Sequence, residues 1–244
     1  MKSIAIIPAR YDSTRFPGKP LVPINGIPML KHVYDNVIKS GLFLKVIIAT
    51  DDERIFSAAE SWHAEVVMTA KHHESGTERC AEVVAKLKLD VEVIINVQGD
   101  EPFIAKEPLE ELLSLFNNNE VEIATLVQKI NEEAEIQNPN VVKAVLGINK
   151  KALYFSRSAI PFVRNSNKSP IFWKHIGLYG YRLNTLKKIT QLTPTPLEQV
   201  ESLEQLRWLE HGIGIFAEET NYRMLAVDTP EDLKKVEDYI FQTK

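Results

Sequence analysis

The chain has 244 residues, of which 44% are hydrophobic and 25% charged, values typical of a globular protein with one sizeable core. The formal net charge of −4 argues against a nucleic-acid groove as the main binding surface, so anions must be bound by local clusters of cations. The single cysteine, Cys80, excludes an internal disulfide and a metal site built from several cysteines. No apolar run reaches the length of a membrane span, and no signal-peptide pattern precedes the first strand. We therefore expect a cytoplasmic protein with no nucleic-acid and no membrane partner.

Apolar runs alternate with helical patterns along the first half of the chain, which predicts parallel strands joined by helices. Strands are predicted at 4–8, 46–49, 65–68 and 93–97, and helices at 28–39, 53–62, 78–87 and 109–116. Further strands are predicted at 123–130, 141–148, 152–155, 175–182 and 214–217, with one helix over 194–209 and a last one over 231–241. Because no linker divides the chain, we expect a single domain over 1–244, with about 120–170 as an insertion.

Three cations lie within ten residues in the loop that follows the first strand. Arg10, Arg15 and Lys19 alternate there with turn formers such as Ser13 and Gly18. The loop leaves the carboxyl end of a strand, where open α/β sheets bind their ligands. Turn amides, guanidinium groups and an ammonium suit a polyphosphate, which we favour over a solvated basic loop. The sequence has neither a Walker loop nor the glycine fingerprint of dinucleotide-binding proteins.

Two more polar stretches follow the third and fourth strands. In the first, 73–79, Thr77 is the predicted N-cap of a helix, and Gly76 would let a ligand approach the backbone. Alone, this stretch would indicate only a capped helix. In the second, Asp100 follows the fourth strand, and carboxylate oxygens are the ligands that Mg²⁺ prefers, usually together with substrate phosphates.

The second half of the chain offers candidates whose roles the residues alone leave open. Arg157 follows the apolar run 153–155, so we expect its side chain to point into a site or an interface. His175 lies in an alternating strand with two glycines, where a buried, hydrogen-bonded histidine is as good an interpretation as a ligand. Asp228 precedes Thr229 and the predicted last helix, a pattern that by itself indicates an ordinary N-cap.

An ordered series of motifs resembles the sugar cytidylyltransferases, and among them the 3-deoxy-manno-octulosonate (Kdo) cytidylyltransferases. The motifs are the loop at 10–20, which ends in Pro-Gly-Lys-Pro, Ser-Gly-Thr-Glu-Arg at 75–79, Val-Gln-Gly-Asp-Glu-Pro at 97–102, Tyr-Phe-Ser-Arg at 154–157, His-Ile-Gly-Leu-Tyr-Gly-Tyr-Arg at 175–182, Pro-Leu-Glu at 196–198 and Val-Asp-Thr-Pro-Glu-Asp-Leu at 227–233. The resemblance covers essentially the whole chain. It implies a Rossmann-like open mixed sheet of the nucleotide-diphospho-sugar transferase type, with a smaller inserted part for sugar binding and dimerisation.

The resemblance also implies a role for each matching residue. The nucleotide would be bound by Pro8, Ala9, Arg10, Ser13, Arg15, Lys19, Ser75, Gly76, Thr77, Arg79 and Gln98. The sugar would be bound by Gln98, Arg157, His175, Tyr179, Tyr181, Glu198 and Gln199. Asp100 and Asp228 would bind Mg²⁺, and with Arg10 and Lys19 they would form the catalytic group. The resemblance further implies a homodimer.

The implied reaction transfers CMP from CTP to the anomeric hydroxyl of Kdo, giving CMP-Kdo and pyrophosphate and activating Kdo for lipopolysaccharide biosynthesis. The same chemistry on an 8-amino Kdo analogue or another ulosonic acid is an alternative that the sequence does not separate. A non-catalytic nucleotide-binding homologue is disfavoured because both carboxylates and all three loop cations are present. A nicotinamide-dependent oxidoreductase would fit the sheet but lacks the glycine fingerprint.

Overall fold

The computed structural model describes residues 1–12, 16–165, 167, 170–222, 225–227 and 229–234. The chain falls into two compact units, Met1–Leu109 with Tyr222–Lys244, and Glu110–Asn221. The expectation of a single domain with an insertion stays a prediction. Among the described residues, no helix combines the length and the apolar character that crossing a bilayer requires.

The first unit is built on four parallel strands in the order β6-β1-β4-β5. These strands are β1 (Ser3–Ala9), β4 (Val46–Thr50), β5 (Glu65–Met68) and β6 (Val93–Asn96). A small antiparallel pair, β2 (Pro23–Ile24) and β3 (Ile27–Pro28), precedes the first helix. The helices are α1 (Met29–Ser40), α2 (Glu53–Ser61), α3 (Gly76–Leu87) and α4 (Lys106–Leu115), and the division between the units falls within α4.

The register of these strands places their carboxyl ends along one edge. Ala9 at the end of β1 pairs with Thr50 at the end of β4, and Ile6 of β1 pairs with Asn96 at the end of β6. Continuous apolar runs form these strands because both of their faces are buried. Gly41 follows α1 as its C-cap in the left-handed conformation at φ 68°, which glycine adopts without steric cost.

The second unit contains a mixed sheet. Strand β10 (Trp173–Arg182) runs antiparallel to β7 (Ile123–Lys129) and to β8 (Lys143–Leu146). Strand β11 (Ile215–Glu219) is parallel to β7, and β9 (Ala152–Ser156) is antiparallel to β8. The helices are α5 (Glu133–Gln137), α6 (Leu183–Ile189), α7 (Pro196–Glu201) and α8 (Glu204–Glu210). The predicted combination of α/β architecture and a mixed sheet is confirmed.

Two of the sequence predictions about helices are wrong. The predicted helix over 194–209 is two helices, because Ser202 adopts the left-handed conformation at φ 52° and ends α7. Val200 of α7 is 84% exposed. The N-cap of α3 is Ser75 and not Thr77, because the Ser75 hydroxyl accepts a hydrogen bond from the amide of Glu78. Helices α5 and α6 and the β2–β3 pair were not predicted from the sequence. The described part of the last predicted helix, 230–234, is helical.

Candidate active site

A cavity of about 260 Å³ lies in the first unit, where the loops after β1 and β6 and the start of α3 meet. Its lining residues come from three separate parts of the sequence: Pro8, Ala9, Arg10, Lys19, Pro20, His73, Glu74, Ser75, Gly76, Arg79, Gln98, Gly99 and Asp100. Eight of the eleven predicted nucleotide-binding residues are in this set. Ser13 and Arg15 lie outside the described residues, and Thr77 is buried within the first turn of α3.

A backbone hydrogen bond closes the loop after β1 just before Lys19, which lines the cavity. The amide of Gly18 donates to the carbonyl of Tyr11 at 2.9 Å, and Gly18 has φ 74°, which side-chain-bearing residues rarely adopt. A Cβ on Gly18 would also lie 3.0 Å from the Tyr11 ring. The guanidinium of Arg54 stacks on that ring, 3.3 Å from its centroid, so the loop is packed against α2.

Lys19 and Asp100 form an ion pair at the wall of the cavity. Lys19 Nζ lies 2.7 Å from Asp100 Oδ2, with side-chain exposures of 14% and 27%. The two residues meet because the loop after β6 passes close to the end of β1. A Cβ on Gly99 would come within 2.9 Å of the carbonyl oxygen of Pro8, so only glycine allows this approach. Arg10 also lines the cavity, and among the described residues its guanidinium has no protein partner.

The start of α3 presents backbone amides to the cavity. Ser75 caps the helix and Gly76 is its first residue, and both line the cavity. A helix of 12 residues carries a partial positive charge at its N-terminus, and its first amides have no partners within the helix. This end of α3 therefore suits an anionic or oxygen-rich ligand.

Arg79 is held by a network that leads from the cavity to the end of β4. Its Nη2 donates to Asp51 Oδ2 at 2.7 Å, and its Nη1 donates to Thr69 Oγ1 at 2.8 Å and to the carbonyl of Ala70 at 3.2 Å. The exposed fractions of the two side chains are 4% for Arg79 and 16% for Asp51. The guanidinium orientation is thus fixed before any ligand binds.

The C-terminal segment returns to the same unit beside Asp100. The amide of Val227 donates to the carbonyl of Asp100 at 3.0 Å, and Val227 packs in an apolar cluster with Ile24 and Met29. Asp228, the second predicted metal ligand, follows Val227 in sequence and lies outside the described residues. No group of three or more carboxylate, histidine or cysteine side chains that could hold a metal occurs in the described part of the chain.

In the second unit, three predicted sugar-binding residues form an aromatic cluster on β10. The rings of His175 and Tyr179 lie 5.3 Å apart, Tyr179 stacks on Tyr181 at 5.9 Å, and Trp208 packs edge-on against both tyrosines. Burial lowers the pKa of His175 to about 3, and its Nε2 lies 3.1 Å from Thr125 Oγ1. His175 is therefore neutral at pH 7. The Tyr179 hydroxyl is buried without a hydrogen-bond partner among the described residues, and burial raises the pKa of Tyr179.

Arg157 and Glu198 already have protein partners within the second unit. The guanidinium of Arg157 donates to the carbonyls of Glu201, Pro139 and Ser202 at 2.8, 3.1 and 3.4 Å. The carboxylate of Glu198 forms an ion pair with Arg207 at 2.6 Å and belongs to the capping box of α7. Gln199 is exposed on α7, and Tyr181 is fully buried. The sugar-binding roles of these residues stay predictions.

Comparison with known proteins identifies the family. A family model described as cytidylyltransferase matches residues 4–221. The 3-deoxy-manno-octulosonate cytidylyltransferase of Phocaeicola vulgatus is 47% identical over 250 residues, which cover 99% of this chain and 98% of the relative. The enzyme of the same name from Pseudoalteromonas translucida is 47% identical over 249 residues, covering 98% of each chain. The chain belongs to the 3-deoxy-manno-octulosonate cytidylyltransferase family.

Solved structures agree with this family assignment. The structure of a CMP:2-keto-3-deoxy-manno-octonic acid synthetase in complex with CTP matches with a TM-score of 0.94 at 41% identity, covering 100% of both chains. A cytidylyltransferase from Leptospira borgpetersenii matches with a TM-score of 0.64 at 18% identity, covering 99% of this chain and 87% of its own, which shows a shared fold. The predicted family, the predicted enzyme class and the Rossmann-like nucleotidyltransferase fold are confirmed.

Three residues of this family member take part in the site although the sequence analysis gave them no role there. Tyr11 packs against Gly18, Asp51 orients Arg79, and His73 lines the cavity. Of these three residues, only Asp51 could have been predicted from the sequence, because an acid directly after a parallel strand lies at the ligand-binding edge of the sheet. The contacts of Tyr11 with Arg54 of α2, and of His73 with Glu78 and Glu82 of α3, depend on how each loop folds back over a helix.

Proposed function

We propose that this chain transfers CMP from CTP to the anomeric hydroxyl of Kdo, releasing pyrophosphate and activating Kdo for lipopolysaccharide biosynthesis. The observation that carries the proposal is the cavity that gathers Arg10, Lys19, the N-terminus of α3 and Asp100. The synthetase that matches with a TM-score of 0.94 was solved with CTP. In nucleotidyl transfer the protein mainly has to position the anionic substrates and neutralise the charge on their phosphates. Cations and helix amides can do both.

The phosphates would be bound by the loop after β1 and the sugar hydroxyl would attack the α-phosphorus in line. Arg10 and Lys19 would neutralise the charge that develops on the phosphate oxygens and on the departing pyrophosphate. Arg79 and the Ser75–Gly76 turn would hold the nucleoside, because Arg79 is fixed by Asp51 and the turn begins α3. A site that depends on such polar contacts rejects nucleotides that leave its groups unpaired, so CTP should be preferred over ATP and GTP.

Magnesium is the metal that this donor set fits. Mg²⁺ is usually held by one or two carboxylates together with substrate phosphates and water, and Asp100 offers such a carboxylate beside the phosphate-binding cation Lys19. We assign Asp100 and Asp228 as its ligands. When bound, Mg²⁺ would supply charge neutralisation at the phosphates and a lower pKa for the attacking hydroxyl.

The second unit would carry the sugar specificity and the dimer contact. Several large apolar side chains of this unit are strongly exposed, namely Ile148, Leu153, Phe162 and Val200. Large apolar side chains on the surface are typical of interaction faces, which supports a homodimer formed through this unit. A cytoplasmic location fits a reaction that consumes CTP.

Pyrophosphate release measured with CTP, Mg²⁺ and a panel of ulosonic acids tests this proposal, with the product mass identifying the sugar. Kdo should support turnover. Comparing the turnover with Kdo and with its 8-amino analogue decides which of these two sugars is the substrate. Release with no sugar acid at all, or with purine nucleotides as readily as with CTP, would contradict the proposed reaction. Asp100→Asn should lose activity by orders of magnitude while CTP binding suffers less, and near-normal turnover would remove Asp100 from the metal site.

A further inference from the structure

His73 bridges two carboxylates on α3. Its Nε2 lies 2.5 Å from Glu82 Oε2 and its Nδ1 lies 3.6 Å from Glu78 Oε2. The side chain of His73 is 14% exposed and those of Glu78 and Glu82 are 27% and 18% exposed, so water screens these contacts only in part. The two glutamates are four residues apart and therefore neighbours on one face of the helix.

The same two carboxylates also hold the backbone of the segment that precedes α3. The amide of Ala70 donates to Glu82 Oε2 and the amide of Glu74 donates to Glu78 Oε2, both at 2.8 Å. Burial raises the pKa of Glu82, but hydrogen bonds from Lys86, from the Ala70 amide and from His73 outweigh it and bring the pKa down to about 2. Glu82 is thus an anion throughout the range in which the protein would work.

Two carboxylates at this spacing repel each other unless a cation lies between them. Each ring nitrogen of His73 faces one of the two carboxylates, Nε2 that of Glu82 and Nδ1 that of Glu78. Among the described residues, two further titratable groups contact this cluster: Lys86 pairs with Glu82 Oε1 at 2.8 Å, and the ring centre of His72 lies 4.7 Å from that of His73. His73 is the group that contacts both carboxylates.

The segment that His73 fastens to α3 forms one wall of the cavity. His73, Glu74, Ser75 and Gly76 follow one another along this wall, and Ser75 caps the helix that begins at Gly76. Loss of the bridge would weaken the hold of the two carboxylates on the Ala70 and Glu74 amides, and with it the fixed position of the turn at Ser75 and Gly76.

We propose that His73 is a positioning residue for the nucleotide: by contacting Glu78 and Glu82 together it fixes the turn at Ser75 and Gly76, and it thereby sets the KM for CTP. This proposal rests on the proposed CTP-dependent function. His73 acts through the turn and not on the reacting atoms, so the KM for CTP changes and kcat does not.

The test compares His73→Gln with His72→Gln, a substitution of the adjacent and exposed histidine that bridges no carboxylates. His73→Gln should raise the KM for CTP about tenfold, the scale of one charge-assisted hydrogen bond, with kcat and the KM for the sugar acid within twofold. His72→Gln should match the unmodified protein. The double variant His73→Gln with Glu78→Gln should recover most of the loss, because it removes the repulsion while the amide oxygen introduced at position 78 still accepts from the Glu74 amide.

Amide hydrogen exchange of the ligand-free protein separates this proposal from the proposed function. His73→Gln should speed exchange at Ala70 and Glu74, whose amides donate to the two carboxylates, and His72→Gln should not. If the unmodified protein does not use CTP but exchange responds as described, the proposed function fails while the bridge stands. Unchanged exchange and unchanged KM in His73→Gln, or no recovery in the double variant, would overturn the proposal.

Discussion

Replacing Asp51 by asparagine tests whether the buried network behind the cavity prepares Arg79 for the nucleotide. Asp51 is the only carboxylate that contacts the Arg79 guanidinium among the described residues, whereas Thr69 and Ala70 offer neutral oxygens. Asparagine keeps the size and one acceptor oxygen of aspartate but removes the charge. The substitution therefore leaves Arg79 with an uncompensated charge at 4% exposure.

The expected loss can be bracketed from these contacts. The amide oxygen introduced at position 51 would still accept from the charged guanidinium, so the exchange weakens, without removing, a hydrogen bond to a charged group, which contributes about 1.5–3 kcal/mol. Leaving a buried charge without its partner adds to this, with an upper limit of about 3–5 kcal/mol for complete removal of a partner. We expect Asp51→Asn to lower the free energy of unfolding by about 1–3 kcal/mol, and a misaligned Arg79 to raise the KM for CTP about tenfold.

The adjacent aspartate provides the control. Asp52 pairs with Arg54, whose side chain is 57% exposed, and it caps α2, a role that asparagine fills equally well. Urea denaturation and CTP kinetics of Asp52→Asn should stay close to those of the unmodified protein, since exposed ion pairs contribute about 0–1 kcal/mol. Equal denaturation midpoints for the two variants, together with an unchanged KM for CTP in Asp51→Asn, would refute the role assigned to this network.

Three further predictions concern the packing, the second unit and the response to acid. Gly99→Ala should abolish measurable CTP use and lower the denaturation midpoint, because its Cβ would lie 2.9 Å from the Pro8 carbonyl oxygen; a normal KM for CTP would contradict the close approach. Arg157→Lys should lower the free energy of unfolding by about 1–2 kcal/mol, because lysine cannot reproduce three carbonyl contacts, and an unchanged urea midpoint would argue for a substrate partner instead. Folding depresses the pKa of His175 from 6.5 to about 3, so the unfolded chain binds a proton first and stability should fall as pH drops below 6.5, by at most about 1.4 kcal/mol per pH unit. Protonation of Glu82 adds to this loss of stability only between pH 4.5, its ordinary pKa, and about pH 2. His175→Gln should therefore flatten the pH dependence of the urea midpoint between pH 6.5 and 4.5. An unaltered slope of urea midpoint against pH would count against a neutral His175.

The strands and the longer helices were predictable because local pattern and tertiary structure agree there. Strand β5 has the predicted bounds, 65–68, and α1 (Met29–Ser40) lies where a helix is predicted over 28–39. In α1, burial of one face leaves a helical period that the sequence displays directly. The approach of the loop after β1 to Asp100 was also predictable, because parallel strands end at a common edge.

The errors arise where one backbone conformation or one distant contact decides the outcome. Ser202 adopts the left-handed conformation and divides α7 from α8, but a serine in the sequence does not predict that conformation as a glycine would. Ser75 and Thr77 are equally good caps by type, and only the structure shows which hydroxyl reaches the Glu78 amide. The bridge made by His73 joins a loop to a helix face, and its formation depends on how the segment before α3 folds back over Glu82.

The most direct test of the account is whether CTP binds in the cavity between the loop after β1 and the start of α3. Isothermal titration of CTP in the presence of Mg²⁺ should show one site in the unmodified protein, with affinity lowered at least tenfold by Lys19→Met and by Arg10→Met, each of which removes a cation from the cavity wall. Pyrophosphate release with Kdo should fall in the same two variants. Unchanged CTP affinity in both variants would contradict the assignment of this cavity as the nucleotide site.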